Sequence, residues 1–437
     1  MKTLSFSTFS LTLAVAALLS SPARGQTLLY QLESPNMAQF GSFGFAISGV
    51  PDLSGDGLHD LVVGAPGEGG DGAAYVFNGA TGATIYSIPG DPNGFFFGFY
   101  VAGLGDIDGD GLGDFAAQAR TTALHSVIVY SGATGSLLET LQSPNDPTGL
   151  FGLRMAGVGD LNGDKRSEIL IGAPDEDVGR GNSVGRAFLF SGANTALLDT
   201  LSSPNKQSGG NYGWGVASVP DIDGDGVTDL AVGANGENIG KRRAGRVYVY
   251  SGATGGLLLQ LASPNRTRSG AFGYSIAGLN DIDGDGFGDL AVGAPFESPG
   301  SEQNHAGRVY IFSGATGQVL HTLVSPNSER NGSFGYSLAR LLDTDGDGLD
   351  DLLVGAALEN PNDDFFSAGR CYVYNAATGE EQYELASPNE ENGDVFGWAV
   401  SALDDLDGDG HGDFAVGAYV ENDTGRVYVY SGALDSP

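Results

Sequence analysis

An acidic nine-residue pattern recurs seven times along the chain. Five copies have the form DxDGDGxxD: DIDGDGLGD from 106, DIDGDGVTD from 221, DIDGDGFGD from 281, DTDGDGLDD from 343 and DLDGDGHGD from 405. Two looser copies read DLSGDGLHD from 52 and DLNGDKRSE from 160. Alternate carboxylates in a tight turn that contains glycine direct their oxygens toward one point. So much negative charge in one loop predicts a bound cation.

Hard oxygen ligands in a flexible loop favour Ca²⁺, which takes about 6 to 8 oxygens, over Mg²⁺, which keeps more water. We assign the side chains at positions one, three, five and nine, and the backbone carbonyl at position seven, as ligands. An EF-hand is rejected because its position twelve would be Val292, within a predicted strand, instead of glutamate. A plain solvated turn needs only one or two aspartates, and four in register would repel one another.

The predicted ligands follow this numbering in every copy. They are Asp52, Ser54, Asp56, Leu58 and Asp60; Asp106, Asp108, Asp110, Leu112 and Asp114; Asp160, Asn162, Asp164, Arg166 and Glu168; Asp221, Asp223, Asp225, Val227 and Asp229; Asp281, Asp283, Asp285, Phe287 and Asp289; Asp343, Asp345, Asp347, Leu349 and Asp351; and Asp405, Asp407, Asp409, His411 and Asp413.

The two looser copies are expected to bind calcium less tightly. Ser54 is a weaker ligand than aspartate at position three of the first copy. The third copy carries Lys165 and Arg166 beside its carboxylates, so its affinity should be the lowest of the seven.

Composition supports an acidic globular protein. The chain has 437 residues, a formal charge of −34 and 41% apolar residues, enough to build a core. This charge argues against nucleic acid and against anionic membranes as partners, because their phosphates would be repelled.

The first 25 residues have the layout of a secretory signal: an early lysine, a short apolar stretch and then small residues. We therefore expect a single domain over residues 26–437 that is secreted, and is either free outside the cell or associated with its surface. No later stretch is apolar enough to predict a membrane span. Since the lone Cys371 cannot form an internal disulfide, calcium is expected to stabilise the fold instead.

A regular internal repeat fills the chain after residue 25. The acidic copies begin 54 to 62 residues apart, and each unit contains the same four short apolar segments. In unit five these are 272–279, 289–295, 307–314 and 318–327, all rich in β-branched or aromatic residues and bounded by turn residues. Each unit is predicted to be a four-stranded antiparallel meander, with SGATG as the hairpin turn between its third and fourth strands.

A four-stranded sheet cannot bury both faces alone, whereas sheets stacked around an axis can, so the repeat predicts an all-β, seven-bladed β-propeller. The last unit lacks its fourth strand, and an extra copy of that strand, LLYQLESPN, stands at 28–36. We expect this N-terminal strand to complete the seventh blade and to close the ring.

The FG start of each unit and the GAP segment after the acidic loop resemble the FG-GAP repeats of integrin α-subunit N-terminal propellers. The resemblance covers essentially the whole chain after the predicted signal. It implies that the acidic loops lie on the lower face and carry calcium, and that the other connections lie on the upper face, where integrins engage ligands. Because the chain shows no leg domains, membrane span or inserted adhesion domain, an integrin-like heterodimer is not expected.

A second constellation recurs beside the GAP segments. A glutamate follows the GAP glycine by four residues, and an arginine precedes the third strand. The glutamates are Glu68, Glu176, Glu237, Glu297, Glu359 and Glu421, and the arginines are Arg186, Arg246, Arg308, Arg370 and Arg426. We interpret these as ion pairs across the second connection of each unit; the alternative is that part of this ring faces a ligand. Unit two lacks both residues.

The remaining candidates carry less chemistry. Cys371 is expected to be a small buried residue, Lys241–Arg243 a solvated basic loop or an anion-binding patch, and Trp214 and Trp398 packing residues or sugar platforms. The histidines form no metal or catalytic set.

The favoured function is a monomeric, non-catalytic binding or adhesion module for an extracellular protein or polysaccharide. The alternative is an extracellular polysaccharide lyase or hydrolase on the upper face, with Glu176, Asp177, Glu297 and Glu359 as candidate acids and bases. A structural matrix component is a third possibility.

Overall fold

Seven four-stranded antiparallel sheets make up the protein, which we describe from a computed structural model. The structure describes residues 26–434 except 122–123, 147, 180, 300–304 and 361–366. The predicted secretory signal, residues 1–25, lies outside the described residues. All seven sheets are blades of a β-propeller, which confirms the predicted fold class.

The strands follow one another in the order in which the repeats predict them. A first strand, β1 (Gln26–Leu32), precedes blade one. Blade one contains β2 (Ala46–Val50), β3 (Asp60–Ala65), β4 (Ala73–Phe77) and β5 (Thr84–Pro89). Blade two contains β6 (Val101–Leu104), β7 (Asp114–Arg120), β8 (His125–Tyr130) and β9 (Leu137–Gln142). Blade three contains β10 (Met155–Gly157), β11 (Ile169–Ala173), β12 (Arg186–Phe190) and β13 (Leu197–Leu201). Blade four contains β14 (Tyr212–Val219), β15 (Asp229–Ala234), β16 (Arg246–Tyr250) and β17 (Leu257–Leu261).

The last three blades also contain four strands each, but the fourth strand of blade seven comes from the start of the chain. Blade five contains β18 (Ile276–Leu279), β19 (Asp289–Ala294), β20 (Arg308–Phe312) and β21 (Val319–Leu323). Blade six contains β22 (Ser337–Leu341), β23 (Asp351–Ala356), β24 (Arg370–Asn375) and β25 (Glu381–Leu385). Blade seven contains β26 (Val400–Ala402), β27 (Phe414–Ala418) and β28 (Arg426–Leu434), and β1 is its fourth strand. Short 3-10 turns occur at Glu68–Gly70 and Glu421–Asp423.

The ring closes as predicted. Strand β1 pairs with β28 in antiparallel register, with Leu32 opposite Val427 and Gln26 opposite Leu434. The outer edge of blade seven is thereby covered by a strand that is distant in sequence but adjacent in space.

In every blade except the fourth, where β14 begins at Tyr212, the innermost strand begins after the FG pair and is shorter than the apolar segment. In blade five the sequence pattern begins at Phe272, but β18 begins at Ile276. Phe272 instead forms a parallel bridge to Gly245 of blade four, and Gly273 has φ +85. The FG pair is therefore a contact between blades, and regular pairing within the blade starts only after it.

Close approach of two backbones explains both the FG and the GAP signatures. A Cβ added to Gly233, the GAP glycine of blade four, would lie 2.1 Å from the carbonyl oxygen of Gly273, the FG glycine of blade five. Blade two has Gln118 at the GAP position, and its amide donates to the Phe151 carbonyl at 2.9 Å, so a side-chain hydrogen bond replaces the glycine contact there.

The hydrophobic core is divided among the interfaces between neighbouring blades. One cluster, for example, packs Val249 of blade four against Leu290 and Tyr310 of blade five, and all three are buried. The cluster between blades seven and one includes Leu32 of β1, so the closing strand also contributes to the core.

An antiparallel meander places alternate connections at opposite ends of the blade. The acidic loops, between first and second strands, therefore share one face with the turns between third and fourth strands; we call this the lower face. The remaining connections form the upper face. Helix is limited to the two 3-10 turns among the described residues, and neither has the length or hydropathy of a membrane span.

Candidate functional site

Each acidic loop folds around its own first carboxylate. The carboxylate at position one accepts a hydrogen bond from the backbone N–H at position six in all seven loops, at 2.7–3.1 Å. In loop five, for example, Asp281 also accepts from the N–H groups of Gly284 and Asp285, at 2.7 and 3.0 Å. The turn is thereby held in the conformation that places positions three and five beside position one.

The carboxylate at position nine is the buried anchor of each loop. It accepts a hydrogen bond from the N–H at position two in all seven loops, at 2.6–2.9 Å. The other oxygen of Asp289 accepts from Gly314 N–H at 2.9 Å, which ties loop five to the neighbouring hairpin turn. The anchor therefore joins the two connections of the lower face within one blade.

Burial raises the pKa of these anchor carboxyl groups. The pKa rises to about 6 at Asp114, Asp229, Asp289 and Asp351 and to about 7 at Asp413. The pKa of Asp60 and that of Glu168 are also raised by burial. A buried carboxylate costs free energy in its charged form, so each loop is arranged to gain from a nearby cation.

Five loops bring three carboxylates together. In each, one oxygen per residue lies within 4.8 Å of the others. The groups are Asp106, Asp108 and Asp114; Asp221, Asp223 and Asp225; Asp281, Asp283 and Asp285; Asp343, Asp345 and Asp347; and Asp405, Asp407 and Asp413. Because Ca–O distances are about 2.3–2.6 Å, oxygens on one Ca²⁺ are separated by at most about 5 Å. The donor chemistry and the spacing fit calcium.

Loops one and three do not form such a group among the described residues. In loop one, Asn78 donates to both Ser54 and Asp56, at 3.0 and 2.6 Å. In loop three, Lys165 occupies position six with φ +68, where the other six loops have glycine. These two loops are also the copies whose sequences depart from the pattern.

Arg166 acts on a different loop from the one that contains it. Its Nη1 lies 3.2 Å from Oδ1 of Asp106, the first predicted ligand of loop two. The guanidinium also packs over Gly109 of that loop. Side chains at position seven reach the preceding loop elsewhere: the Phe287 ring lies over Gly224, and His411 Nδ1 lies 3.1 Å from the Asp343 carbonyl. We expected Arg166 to affect loop three, and the structure directs its charge to loop two.

The recurring glutamates are buried between blades. Glu237 of blade four accepts from Tyr248 OH at 2.7 Å and from Asn205 Nδ2 at 3.0 Å, and Ser203 Oγ also donates to it. Asn205 and Ser203 belong to an SPN segment that ends the preceding blade. Similar Ser and Asn contacts occur at Glu421. The SPN segments, to which we assigned no role from sequence, therefore link adjacent blades through a buried carboxylate.

The predicted ion pairs form in four blades. The N–O distances are 2.7 Å for Arg186–Glu176, 3.4 Å for Arg246–Glu237, 3.5 Å for Arg308–Glu297 and 3.6 Å for Arg426–Glu421. The prediction is wrong for blade six, where Arg370 pairs with Glu384 and Glu390. Glu359 is left with Tyr372 as a hydroxyl donor, and burial raises its pKa to about 7.

Burial of the recurring glutamates also bears on their alternative roles, contact with a ligand or acid–base catalysis on the upper face. Glu176, Glu297 and Glu359 have no exposed surface, so they do not face a ligand on the upper surface. Of the four candidate acids and bases, only Asp177 is exposed.

An aromatic collar surrounds the propeller axis at its upper end. It consists of the residues two positions after each FG aromatic: Phe45, Phe99, Trp214, Tyr274, Tyr336 and Trp398. Successive ring centroids are 4.5–5.5 Å apart from Phe99 through Phe45, Trp398, Tyr336 and Tyr274 to Trp214. Blade three has Leu153 in this place. Both tryptophans thus pack between blades, as predicted.

A cavity of about 290 Å³ lies on the axis beside the collar. First strands of all seven blades line it, together with Tyr100 and Arg154. This cavity was not predicted from the sequence, although the aromatic that follows FG in six of seven units was a visible signal. The remaining residues singled out from the sequence belong neither to the acidic loops nor to this cavity. Cys371 is buried in the core, and Lys241–Arg243 are exposed.

The fold and its acidic loops define a seven-bladed β-propeller whose blades each carry one FG start. Residues 43–77, 151–190, 212–250, 272–312, 334–374 and 396–430 match the FG-GAP repeat family. These segments cover more than half of the chain, which belongs to this family. Blade two, which has Gln118 in place of the GAP glycine, lies outside the matched segments.

Curated relatives include integrin alpha subunits. The chain is 31% identical over 332 residues to integrin alpha-PS2 of Drosophila melanogaster, which covers 70% of this chain and 20% of that protein. It is 37% identical over 195 residues to integrin alpha-11 of Homo sapiens, covering 43% of this chain and 16% of that protein. Integrin alpha-4 of Xenopus laevis is 31% identical over 215 residues, with 47% and 19% covered. The matched region spans about one fifth of the length of these relatives.

Proposed function

We propose that this protein is a secreted, calcium-binding β-propeller that acts as a non-catalytic binding or adhesion module for an extracellular protein or polysaccharide. The observation that carries the proposal is the set of five loops in which three carboxylate oxygens lie within 4.8 Å of one another. Similarity to integrin alpha subunits supports the binding role.

Calcium would occupy the seven lower-face loops through the ligands assigned from the sequence, including the carbonyls at position seven. The position-one carboxylate and the anchor carboxylate are already oriented by backbone N–H groups, so little rearrangement of either group is needed on binding. Loops four, five, six and seven should bind most tightly. Loop two should be weaker because Arg166 already neutralises part of the charge of Asp106. Loops one and three should be weakest.

The role of the ions would be structural. The chain carries a formal charge of −34, and much of the acidic charge lies in these loops. At a free calcium concentration tenfold above Kd, each site would add about 1.4 kcal/mol to the free energy of unfolding. Seven independent sites would add on the order of 10 kcal/mol, comparable to the net stability of a whole domain.

The ligand would bind on the upper face. There the connections differ between blades: β7 and β8 of blade two are joined by residues 121–124, whereas β19 and β20 of blade five are joined by residues 295–307. The lower face, in contrast, repeats one loop and one turn. Variation of this kind is typical of a recognition surface supported by a rigid scaffold.

Calcium binding is tested by equilibrium dialysis of the purified mature chain, with the bound metal measured by mass spectrometry. We expect up to seven calcium ions per chain, with at least four bound more tightly than the rest. A matched variant pair is Asp281→Asn, which should remove one tight site, and Asp71→Asn, an acidic residue outside the loops that should remove none. Equal loss in both variants would contradict the loop assignment.

Ligand binding is tested by incubating the calcium-loaded protein with extracellular polysaccharides and matrix proteins and analysing retained and released material by mass spectrometry. Retention without fragments, lost on chelation, is the expected result. Fragments that disappear in Glu176→Gln, Glu297→Gln or Glu359→Gln would instead support the polysaccharide-degrading enzyme, despite the burial of these side chains.

A further inference from the structure

Arg154 is a cation inside the axial cavity with no carboxylate beside it. It precedes β10 in blade three, and it makes no ion pair with any residue that the structure describes. Its guanidinium carbon lies 4.3 Å from the centroid of the Tyr100 ring, and its Nη1 donates to the Leu153 carbonyl at 3.1 Å. The guanidinium also hydrogen-bonds the Tyr100 side chain, and because it carries five N–H donors, some remain beyond these contacts.

Arg120, at the end of β7 in blade two, is in a similar position. Its guanidinium lies 5.4 Å from the centroid of Phe99 in the collar, and its buried Nε has no hydrogen-bond partner in the described structure. Burial lowers the pKa of Arg120, and the electrostatic effect of Tyr100 partly opposes this shift. The rings of Phe99 and Tyr100 are themselves 5.1 Å apart, so both arginines stack on one aromatic pair.

Among the described arginines that form no ion pair, Arg120 and Arg154 are partly buried, whereas the others are exposed. Seven arginines, among them Arg186 and Arg246, form ion pairs with carboxylates. In a chain with 54 acidic residues and 20 basic ones, carboxylates are abundant, yet none is found among the described residues that line the axial cavity. Because Arg154 has no carboxylate partner within the described protein, an anion from outside could pair with it.

The other polar groups of the cavity are suited to the same ligand. Tyr274 and Tyr336 line it, and burial raises the pKa of Tyr274 to about 12 although Arg154 opposes the rise. Both tyrosines keep their protons at neutral pH, and a hydrogen bond joins their side chains, so the pair retains one hydroxyl proton that can be donated to a ligand. A guanidinium with neighbouring hydroxyl donors and no competing carboxylate is an arrangement that recognises an oxyanion.

We propose that the axial cavity binds the carboxylate of one uronic acid residue of a polysaccharide, with Arg154 as the principal contact and Arg120 as a second contact at the collar. The chain as a whole is acidic, but the described lining of this cavity contains Arg154 and no carboxylate, so the local charge favours the anion. This proposal rests on the proposed binding function and names its ligand class. A volume of about 290 Å³ is at the lower limit of small-molecule sites, enough for one sugar ring. Aromatic side chains, including Tyr274, Tyr336 and Trp398, line the cavity, and such side chains suit a sugar ring better than the narrow side chain of an aspartate or glutamate.

The two tryptophans of the chain provide a direct measurement. Trp398 lines the cavity, and Trp214 lies at the collar, 5.4 Å from Tyr274. Tryptophan fluorescence of the unmutated protein, saturated with calcium, is titrated with oligogalacturonate and with its methyl ester. The ester keeps the sugar ring and removes the charge. We expect the fluorescence to change saturably with the acid. The affinity for the ester should be lower than that for the acid by a factor of at least about ten.

Variants assign the binding to Arg154. We expect Arg154→Gln to weaken oligogalacturonate binding at least about tenfold and Arg154→Lys to restore part of it, because lysine keeps the charge but not the fork of donors. Arg120→Gln should weaken it a few-fold. Arg242→Gln, which removes an exposed arginine of the upper face, is the matched control and should have no effect.

The proposal is wrong if the acid and its ester bind equally, if neither binds, or if an oligoglutamate peptide binds more tightly than oligogalacturonate. The comparison of acid and ester uses only unmutated protein, so it stands even where Arg154→Gln fails to fold. Retention of another matrix ligand by the unmutated protein, without any uronate binding, would rule out the axial site and leave the general binding function intact.

Discussion

The lower and upper faces of the propeller are built on different principles. The lower face repeats one acidic loop seven times, and the same two carboxylate-to-backbone hydrogen bonds hold every copy. The upper face has connections of different lengths, one blade without the buried glutamate, and two partly buried arginines, Arg120 and Arg154, that lack carboxylate partners among the described residues. A feature that every blade repeats serves the blade itself, whereas a feature present in one or two blades is more informative about recognition.

Calcium removal should produce the largest effect and should act through the lower face. We expect chelation to lower the free energy of unfolding by up to about 10 kcal/mol, since the loops then carry uncompensated charge. Differential scanning calorimetry across calcium concentrations measures this loss. A transition temperature that is independent of calcium would show that the repeated loops do not stabilise the fold.

On the upper face, truncating a buried glutamate should be the most damaging single change. Glu237→Ala would leave Arg246, Tyr248 and Ser203 without their shared acceptor and should cost about 3–5 kcal/mol. Denaturant unfolding at fixed calcium measures the cost. Calcium stoichiometry should stay unchanged in this variant, and its loss would mean that the two faces are more strongly coupled than the structure indicates.

Glu359→Gln should have the opposite effect on stability. Burial raises the pKa of Glu359 to about 7, so the folded state holds its proton more tightly than the unfolded state does. Stability from this group is present below the unfolded value of about 4.5 and is lost as pH rises toward 7. The variant should therefore be more stable than the unmutated protein at pH 8, on the order of 2 kcal/mol, and no more stable at pH 4. Unfolding curves at the two pH values decide this.

Arg166→Gln tests the contact between neighbouring lower-face loops. Removing the guanidinium frees Asp106, so calcium affinity at loop two should increase about two- to fivefold. Competition with a chromophoric chelator measures the affinities, and Arg186→Gln, which breaks an ion pair on the upper face, is the control. Tighter binding at loop three instead would restore our expectation from the sequence.

The smallest predicted effect concerns the one loop of the seven in which a residue other than glycine has a positive φ at position six. Lys165 has φ +68 where the other loops have glycine, so Lys165→Gly should raise the free energy of unfolding by up to about 1 kcal/mol. The reciprocal Gly226→Lys in loop four should lower it by a similar amount. Thermal unfolding of both variants, compared under saturating calcium, provides the measurement. A gain from both changes would exclude backbone strain as the cause.

Most of the fold could be predicted from the sequence because each blade is specified locally. The period, the strand composition and the displaced strand at 28–36 led to seven blades and to their closure. Strand starts were less accurate, since Phe272 pairs with the preceding blade and not with its own. The acidic loops were equally visible, as all their groups lie within nine residues.

Contacts between blades were not predictable from one unit. Arg166 reaches Asp106 across 60 residues, a contact set by how the blades are stacked. Arg154 was missed for the same reason: its neighbours Tyr100, Tyr274 and Tyr336 come from three other blades and meet only at the axis.

The closure of the ring also has a mechanical consequence. Gln26 at the start of β1 lies opposite Leu434 at the end of β28, so these two strand ends emerge side by side from the same edge. A force that pulls these two strand ends apart acts on one hydrogen-bonded pair at a time, in the unzipping geometry, instead of on all pairs of the two strands at once. The propeller should therefore open at blade seven under low tension, while the other blades, each joined by consecutive hairpins, remain intact.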